Sequence, residues 1–247
     1  MEPDFHMFGL SHFTALAVTA AVTVWFIRLY RRPGVSAVFR RRVEVTLAMI
    51  LIITVFLDPL CNWLRWSGSG AERAWFEIKK DSLPMHFCDL VALLLAGALL
   101  THHRRLAEIG YLWGLSGTVQ GLITPSVKYE WPALEYFGFF LQHGGVPVAA
   151  LGLTFGAGLQ PQRGALMRAM LWSNVYLITI FGLNALLGVN YGFLNKKPDQ
   201  ASILDFMGEW PWYLLSLEGL ALILFSLLLL LPFRKQRSGV QQPAAAI

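Results

Sequence analysis

The sequence predicts an all-α, polytopic membrane protein with seven transmembrane helices, its N-terminus outside and its C-terminus inside. Three observations predict it. Seven apolar segments, each near the ~20 residues a bilayer requires, fill most of the 247-residue chain. Lys and Arg divide unevenly between the two ends of these segments. His, Cys, Asp, Asn and Gln gather at one end only. Hydrophobic residues make up 55% and charged residues 14%. The longest polar stretches, residues 65–83 and 191–209, are too short to fold alone, so 1–247 reads as one transmembrane domain with a short cytoplasmic tail over 234–247.

The first span, 13–30, follows MEPDFHMFGLSHF. That opening lacks a basic n-region, so the segment reads as a retained helix, not a cleaved signal. The second span, 43–64, starts after an arginine cluster and ends near Asp58 and Asn62. Pro84 suits the first turn of the third, 84–101. The fourth and fifth, 106–124 and 134–156, contain Gly and Pro, which membrane helices tolerate. The sixth covers 166–190. The seventh, 210–232, reads WPWYLLSLEGLALILFSLLLLLPF, with Trp210, Trp212 and Tyr213 as an aromatic belt.

Thirteen of the 20 Lys and Arg fall on one side: Arg28, Arg31, Arg32, Arg40, Arg41, Arg42, Arg104, Arg105, Arg163, Arg168, Arg234, Lys235 and Arg237. The other seven are Arg65, Arg73, Lys79, Lys80, Lys128, Lys196 and Lys197. The richer side is expected in the cytoplasm. The net charge of +5 thus reads as topology and contact with anionic lipid, and no nucleic-acid partner is expected.

With that topology the polar residues form one layer in the outer leaflet. His12 starts the first span, and Asp58 and Asn62 end the second. His86, Cys88 and Asp89 open the third, and Gln120 and Thr124 close the fourth. Gln142 and His143 lie in the outer half of the fifth, Asn184 and Asn190 in that of the sixth. Glu218 is about two turns into the seventh. The inner halves are mostly Ala, Leu, Val, Ile and Phe. Polar groups in hydrocarbon are costly and mark candidate sites. The competing explanation is a hydrogen-bonded network that glues helices together.

Cys88 is the natural nucleophile. It falls in an early helical turn, where the positive helix end favours a thiolate. Its alternatives are a small buried thiol or a disulfide with Cys61. His143 is the natural base, in FFLQHGGVP. Pro147 cannot donate to the carbonyl of residue 143, and Gly144 and Gly145 allow close approach of a neighbouring helix or an acyl chain. A neutral His can take a thiol proton, the logic of Cys–His catalysis. Its alternative is a structural His bonded to a backbone carbonyl. At 1.5 Å per residue Cys88 lies about 5–7 Å deep and His143 about 10 Å, a gap that helix tilt would have to close.

His86 stands two residues from Cys88 and so faces another way. Asp89 or Asp58 is placed to orient a His, as in a triad. Gln120, Asn184 or backbone N–H groups are candidates to stabilise an oxyanion. Asn190, Tyr191 and Lys197 lie in an outer loop suited to cap the bundle or grip a phosphate, or to anchor it at the interface. His12, His86, His143 and Asp58 show no metal-ligand spacing, so neither a metal nor another cofactor is expected. His102 and His103, beside Arg104 and Arg105, read as topology.

LPMHFCDL, YLWGLSGTVQGLITP, FFLQHG, NYGFLNKKP and SILDFMGEWPWYLL, in that order, resemble the signatures of the YwaF-like bacterial integral membrane proteins. The resemblance covers roughly residues 5–233 and implies a multi-pass protein of the bacterial plasma membrane. A eukaryotic relative is described as a phospholipid acyltransferase using a Cys and a His. By similarity these correspond to Cys88 in HFCD and His143 in QHG. The resemblance thus implies an acyltransferase or transacylase. The outer-leaflet position of the pair, away from cytoplasmic acyl-CoA, points to membrane phospholipid as donor, with a second lipid hydroxyl, such as a lysolipid's, or water as acceptor. The rival reading is a transporter or receptor with a small polar ligand in the same pocket. That reading would be supported by an inverted repeat, and the sequence shows no convincing one. Oligomeric state is not legible.

Overall fold

Helices form wherever the seven apolar segments were expected, and the computed structural model describes residues 4–198 and 203–231. The segments appear as α1 (Leu10–Arg31), α2 (Ala37–Trp66), α4 (Phe87–Thr101), α5 and α6 (Arg104–Trp113 and Val119–Ile123), α7 (Leu134–Leu151), α8 (Ala165–Leu187) and α9 (Trp212–Leu229). A π-helical stretch, Gly114–Thr118, joins α5 to α6, and another, Gly152–Gly156, extends α7. No strand forms among the described residues. The predicted tail at 234–247 lies outside them.

One helix was not expected. The 65–83 stretch, read above as a polar connection, contains α3 (Ala71–Asp81). Its AERAWFEIKKD buries Ala74 and Ile78, four residues apart on one face. A helix of that length is invisible to a search for bilayer-length apolar runs. Two boundaries also shift. The third segment begins its helix at Phe87, so Pro84 sits in the preceding turn and Cys88 is only the second helical residue. The sixth ends at Leu187, capped by Gly188 at φ 67, a left-handed conformation suited to glycine.

Consecutive segments alternate in direction, as their end-to-end contacts show. At one end Arg31 (end of α1) donates to the carbonyl of Phe155 after α7. Arg41 (start of α2) donates to the carbonyls of Leu99 and Leu100 at the end of α4. Tyr111 of α5 reaches the Leu228 carbonyl of α9. At the other end Tyr136 (start of α7) reaches the Ser11 carbonyl, and Asn62 (end of α2) reaches Ser82 after α3. The described arginines of the basic cluster all fall at the first end, here called the basic end. Cys88 lies at the other, the cysteine end.

α4 is the central helix. Val91, Ala92, Leu95, Ala96, Ala98 and Leu99 are all buried, packed with Leu51, Leu112, Val146 and Ala149 in one core. The outer helices are different. α1, α2 with its following turn, α8 and α9 are long and apolar enough to cross a bilayer, and only 11% of the apolar windows of α8 and α9 is buried. Ile178, Leu186, Leu215 and Leu230 stand on the surface. Apolar area on this scale suits a hydrocarbon surrounding, not water.

The expectation of apolar inner halves does not hold at the basic end. Glu44 and Glu108 are buried there. Glu44 accepts from Tyr30 Oη at 2.7 Å, Arg41 Nη1 at 3.1 Å and His102 Nε2 at 3.0 Å. Glu108 accepts from Arg168 Nε at 2.7 Å and Nη2 at 2.9 Å, and from the Gln162 N–H at 2.9 Å. His102, read above as topology, therefore also pairs a carboxylate, from a left-handed cap position at φ 52.

Candidate functional site

The site is built on the start of α4 and the middle of α7. The N–H of His86 donates to Asp89 Oδ2 at 3.2 Å, the reciprocal bond that pins a helix start. This fixes Cys88 between the two residues. Asp89 Oδ1 accepts from Gln142 Nε2 at 2.7 Å, and the Cys88 thiol points at the same oxygen, 4.0 Å away. One side-chain bond therefore ties α4 to α7. It joins the residue after Cys88 to the residue before His143.

His143 is buried on α7, its ring stacked on Phe139 with centroids 3.9 Å apart. Its Nδ1 lies 3.0 Å from the Phe139 carbonyl. A carbonyl only accepts, so Nδ1 carries the proton and Nε2 keeps its lone pair. Nε2 faces Gly121 of α6, where an added Cβ would stand 2.9 Å from Nε2 and 2.5 Å from Cδ2. Only glycine leaves room for the ring here. Gly144 and Gly145 admit neighbouring helices, since added Cβ atoms would strike Thr19 of α1 and Leu51 of α2.

Cys88 and His143 share no hydrogen bond: the thiol's partner is Asp89, and that of His143 is Phe139. Both cysteines are free thiols and half-buried, so no Cys61–Cys88 disulfide forms. Around them, Asp58, His86 and Asp89 are close enough to sense one another's charge. Asp58 also neighbours Ser82, which accepts from Asn62 Nδ2 at 2.6 Å. Tyr176 of α8 closes one side. Its hydroxyl donates to the Met85 carbonyl at 3.0 Å, and its ring meets Phe87 edge-on at 5.3 Å. The sequence reading did not include Tyr176. A tyrosine in mid-span is its only signal.

Other expected site residues have structural partners. His12 is fully buried. Its Nδ1 accepts from the Phe8 N–H at 3.0 Å and its Nε2 donates to the Leu122 carbonyl at 2.7 Å, so both ring nitrogens are occupied. Asn184 pairs its amide with the Tyr191 backbone, donating to its carbonyl at 2.9 Å and accepting from its N–H at 2.8 Å. Tyr191 is buried. Its hydroxyl donates to the Lys79 carbonyl at 2.8 Å and accepts from the Leu83 N–H at 2.9 Å, clamping the end of α3. Burial pushes this phenol up to about 12, so it remains a neutral donor.

Asn190 staples its own loop, donating to the Lys196 carbonyl at 2.9 Å and accepting from the Asn195 N–H at 3.0 Å. Lys197 lies 3.9 Å from Glu209. His86 stacks edge-on against Tyr191, with centroids 4.9 Å apart. Its Nε2 lies 3.2 Å from the Asp81 carbonyl. Glu218 is held apart from the cysteine, accepting from Asn174 Nδ2 at 3.1 Å in a groove between α8 and α9. Gln120 is half-buried, and its side chain makes no hydrogen bond among the described residues. Nearby, Thr118 ends the first π-helical stretch with a buried hydroxyl that likewise has no partner. Among the described residues no three His, Cys, Asp or Glu side chains come together to hold a metal ion.

An all-helical chain with bilayer-length apolar helices and a lipid-suited exterior is a multi-pass membrane protein. More particularly, the chain belongs to the TMEM164 family, whose model matches residues 7–229. The match covers every helix described above. It brings no activity with it, and no YwaF-like name; those expectations rest on the motifs. No curated protein and no solved structure matches the chain.

Proposed function

We propose that this protein is a seven-span acyltransferase or transacylase of the bacterial plasma membrane, N-terminus outside and C-terminus inside. Cys88 is its nucleophile, His143 its base, and an outer-leaflet phospholipid its acyl donor. Segment lengths support the count. Arg104–Ile123 and Leu134–Gly156 are each about 30 Å or more at 1.5 Å per residue; α4, at about 22 Å, is shorter than the hydrocarbon core and is counted as the apolar central helix. The arginines gathered at the basic end support the orientation.

The observation that carries the chemistry is the hydrogen bond between His143 Nδ1 and the Phe139 carbonyl. With its Nδ1 proton on the Phe139 carbonyl, Nε2 is an unprotonated acceptor with no hydrogen-bond partner among the described residues. A general base needs that lone pair. The Asp89–Gln142 bond holds this base and the thiol on two helices one residue either side of a shared contact. Proton transfer requires thiol and imidazole to meet, directly or through a water.

The steps balance as follows. His143 Nε2 takes the Cys88 proton as sulfur attacks the ester carbonyl. The C–O bond breaks, and the proton passes to the leaving alkoxide, giving a lysolipid and a Cys88 thioester. A second lipid hydroxyl, or water, gives its proton to Nε2 and attacks the thioester. The C–S bond breaks and the proton returns to sulfur. An outer-leaflet site favours phospholipid over cytoplasmic acyl-CoA as donor.

The test is lipid turnover in proteoliposomes containing labelled phospholipid and a lysolipid acceptor, with mass spectrometry of Cys88. An acyl group on Cys88 is expected. Cys88→Ser and His143→Ala each abolish turnover, and the double variant is no worse than either. Turnover retained by Cys88→Ser overturns the covalent route. Saturable binding of a small polar ligand, with no turnover in any lipid class, moves the protein to the transporter or receptor reading.

A further inference from the structure

The basic end holds a cavity at the opposite end of the bundle from Cys88. It has a volume of about 430 Å³ and is lined by Tyr30, Arg40, Arg41, Glu44 and His102, with Ala37, Ala157 and Leu159 as its apolar wall. The end of α1, the start of α2 and the α4–α5 turn frame it. Its one carboxylate is already neutralised. Glu44 Oε1 takes the Tyr30 hydroxyl at 2.7 Å and His102 Nε2 at 3.0 Å, and Oε2 takes Arg41 Nη1 at 3.1 Å. Two more Arg41 donors reach the Leu99 and Leu100 carbonyls. Arg40 is left over. It is half-buried, lines the cavity, and has no ion pair or hydrogen-bonded partner for its guanidinium among the described residues.

A guanidinium at a cavity wall, beside another arginine and the start of a long helix, presents a surplus of positive charge and directed N–H donors. The start of α2 adds to it. Ser36 Oγ takes the Phe39 N–H at 3.1 Å, but the N–H groups of Ala37 and Val38 have no hydrogen-bond partner among the described residues. Ala37 lines the cavity, and the helix dipole favours an anion there. We infer that this cavity binds a phosphate group, held by Arg40 and the start of α2, whose uncharged remainder lies on Ala157 and Leu159. Arginine suits phosphate because its planar fork matches two oxygens at once. The volume of about 430 Å³ leaves room beside a phosphate for a glycerol-sized remainder. The phosphate comes either from a lipid headgroup or from a soluble phosphate compound. The inference does not need the acyl chemistry.

Two arms separate the sources, each comparing wild type with Arg40→Gln and Arg42→Gln. Arg42 is an exposed neighbour outside the cavity lining, so it reports diffuse attraction to anionic lipid. In the first arm the protein is extracted from bilayers of equal phosphatidylcholine and phosphatidylglycerol, and native mass spectrometry counts retained lipid. In the second, inorganic phosphate is titrated into protein in phosphatidylcholine nanodiscs and the melting temperature is followed. A lipid source gives retained phosphatidylglycerol on wild type and Arg42→Gln, with roughly tenfold weaker retention on Arg40→Gln. A soluble source gives stabilisation by phosphate in the same pattern, without retained lipid. Equal behaviour of the two variants in both arms, or no response from wild type in either, overturns the site. If Arg40→Gln does not survive extraction, Arg40→Lys carries the comparison. It keeps the charge but loses the fork, so a several-fold weakening supports the site and unchanged binding overturns it.

Discussion

The two ends of this bundle bury carboxylates in opposite ways. At the basic end Glu108 takes three hydrogen bonds from Arg168 and Gln162, with Arg105 3.4 Å away. Glu44 takes Tyr30, Arg41 and His102. Both carboxylates meet cations. At the cysteine end Asp89 has a side-chain amide, a backbone N–H and a thiol, and no Lys or Arg ion pair among the described residues; the one titratable base whose charge it senses is His86. His143 likewise keeps one nitrogen unpartnered. A carboxylate whose bonds are all met by cations and N–H groups serves to hold helices together. A network with a leftover lone pair and an unmatched acid is poised for proton movement. Burial is common to both ends, and pairing is what separates them.

The largest effect expected from that contrast is at the basic end. Arg168→Ala removes two of the bonds to Glu108 and leaves a fully buried carboxylate facing only Arg105 and one N–H. Breaking a buried ion pair from one side costs about 3–5 kcal/mol. The variant is expected to lose that much in a reversible unfolding titration in mixed micelles, or not to survive extraction. A loss under 1 kcal/mol would show that the basic end is no better paired than the cysteine end, and the contrast would fail.

At the cysteine end the expected loss is of function more than stability. Gly121→Ala puts a methyl group 2.5 Å from His143 Cδ2, so the ring must turn away or its helix must shift. Overpacking of this kind costs about 1–3 kcal/mol. If His143 is the base, lipid turnover falls by a hundredfold or more, the scale of general-base catalysis. Unchanged turnover in a folded Gly121→Ala protein would remove His143 from the chemistry without any change to His143 itself.

Gln142→Leu tests the bridge between α4 and α7. It leaves Asp89 Oδ1 with only the distant thiol, at a cost of about 1–3 kcal/mol for an unmet buried acceptor. A positioning role predicts that turnover falls and that Gln142→Glu, which cannot donate from a carboxylate, does not restore it. Gln142→Asn, which keeps the amide, is expected to recover part of the rate. A purely structural bond would lower stability in all three and leave the rate of the folded fraction alone.

Much of this was legible in the sequence, and the exceptions have physical reasons. All seven apolar segments are helical because a run of that composition has no other way to satisfy its backbone in lipid. The polar residues fall at one end because their positions follow from helix direction alone. Glu44 and Glu108 were passed over although both lie inside expected spans. Their flanking sequences, RRVEV and RRLAEIG, read as topology, and the arginines that marked the cytoplasmic side also pair those acids. An acid just inside a span is the signal to heed. His12, Asn184 and Tyr191 were legible as buried polar groups but not as satisfied ones. Their partners are the Leu122 carbonyl and backbone groups of the 78–83 and 191 regions, which composition does not reveal. α3 was missed because eleven residues with two buried positions carry too weak a periodic signal.

The smallest expected effect falls on the other cysteine. Cys61 is half-buried in α2, a free thiol with no hydrogen bond among the described residues, and it stands near the C-terminal end of its helix, whereas Cys88 is the second residue of its own. The two thiols thus meet opposite ends of a helix dipole. Cys61→Ser exchanges one small weak donor for another and is expected to change stability by no more than about 0.5 kcal/mol, with turnover unchanged. With Cys61 removed, alkylation reads Cys88 alone, and that is where the comparison of ends becomes sharp. If Cys88 delivers its proton to a neighbouring base, its labelling in the Cys61→Ser background slows several-fold when His143 is changed to Ala, because the acceptor is gone. It is unaffected by Arg168→Lys at the basic end, which leaves the thiol's surroundings intact. Labelling that ignores His143 would mean the two residues never meet. Cys88 would then be a packing residue, and the unpaired nitrogen of His143 would have to be explained by a ligand, not by a thiol.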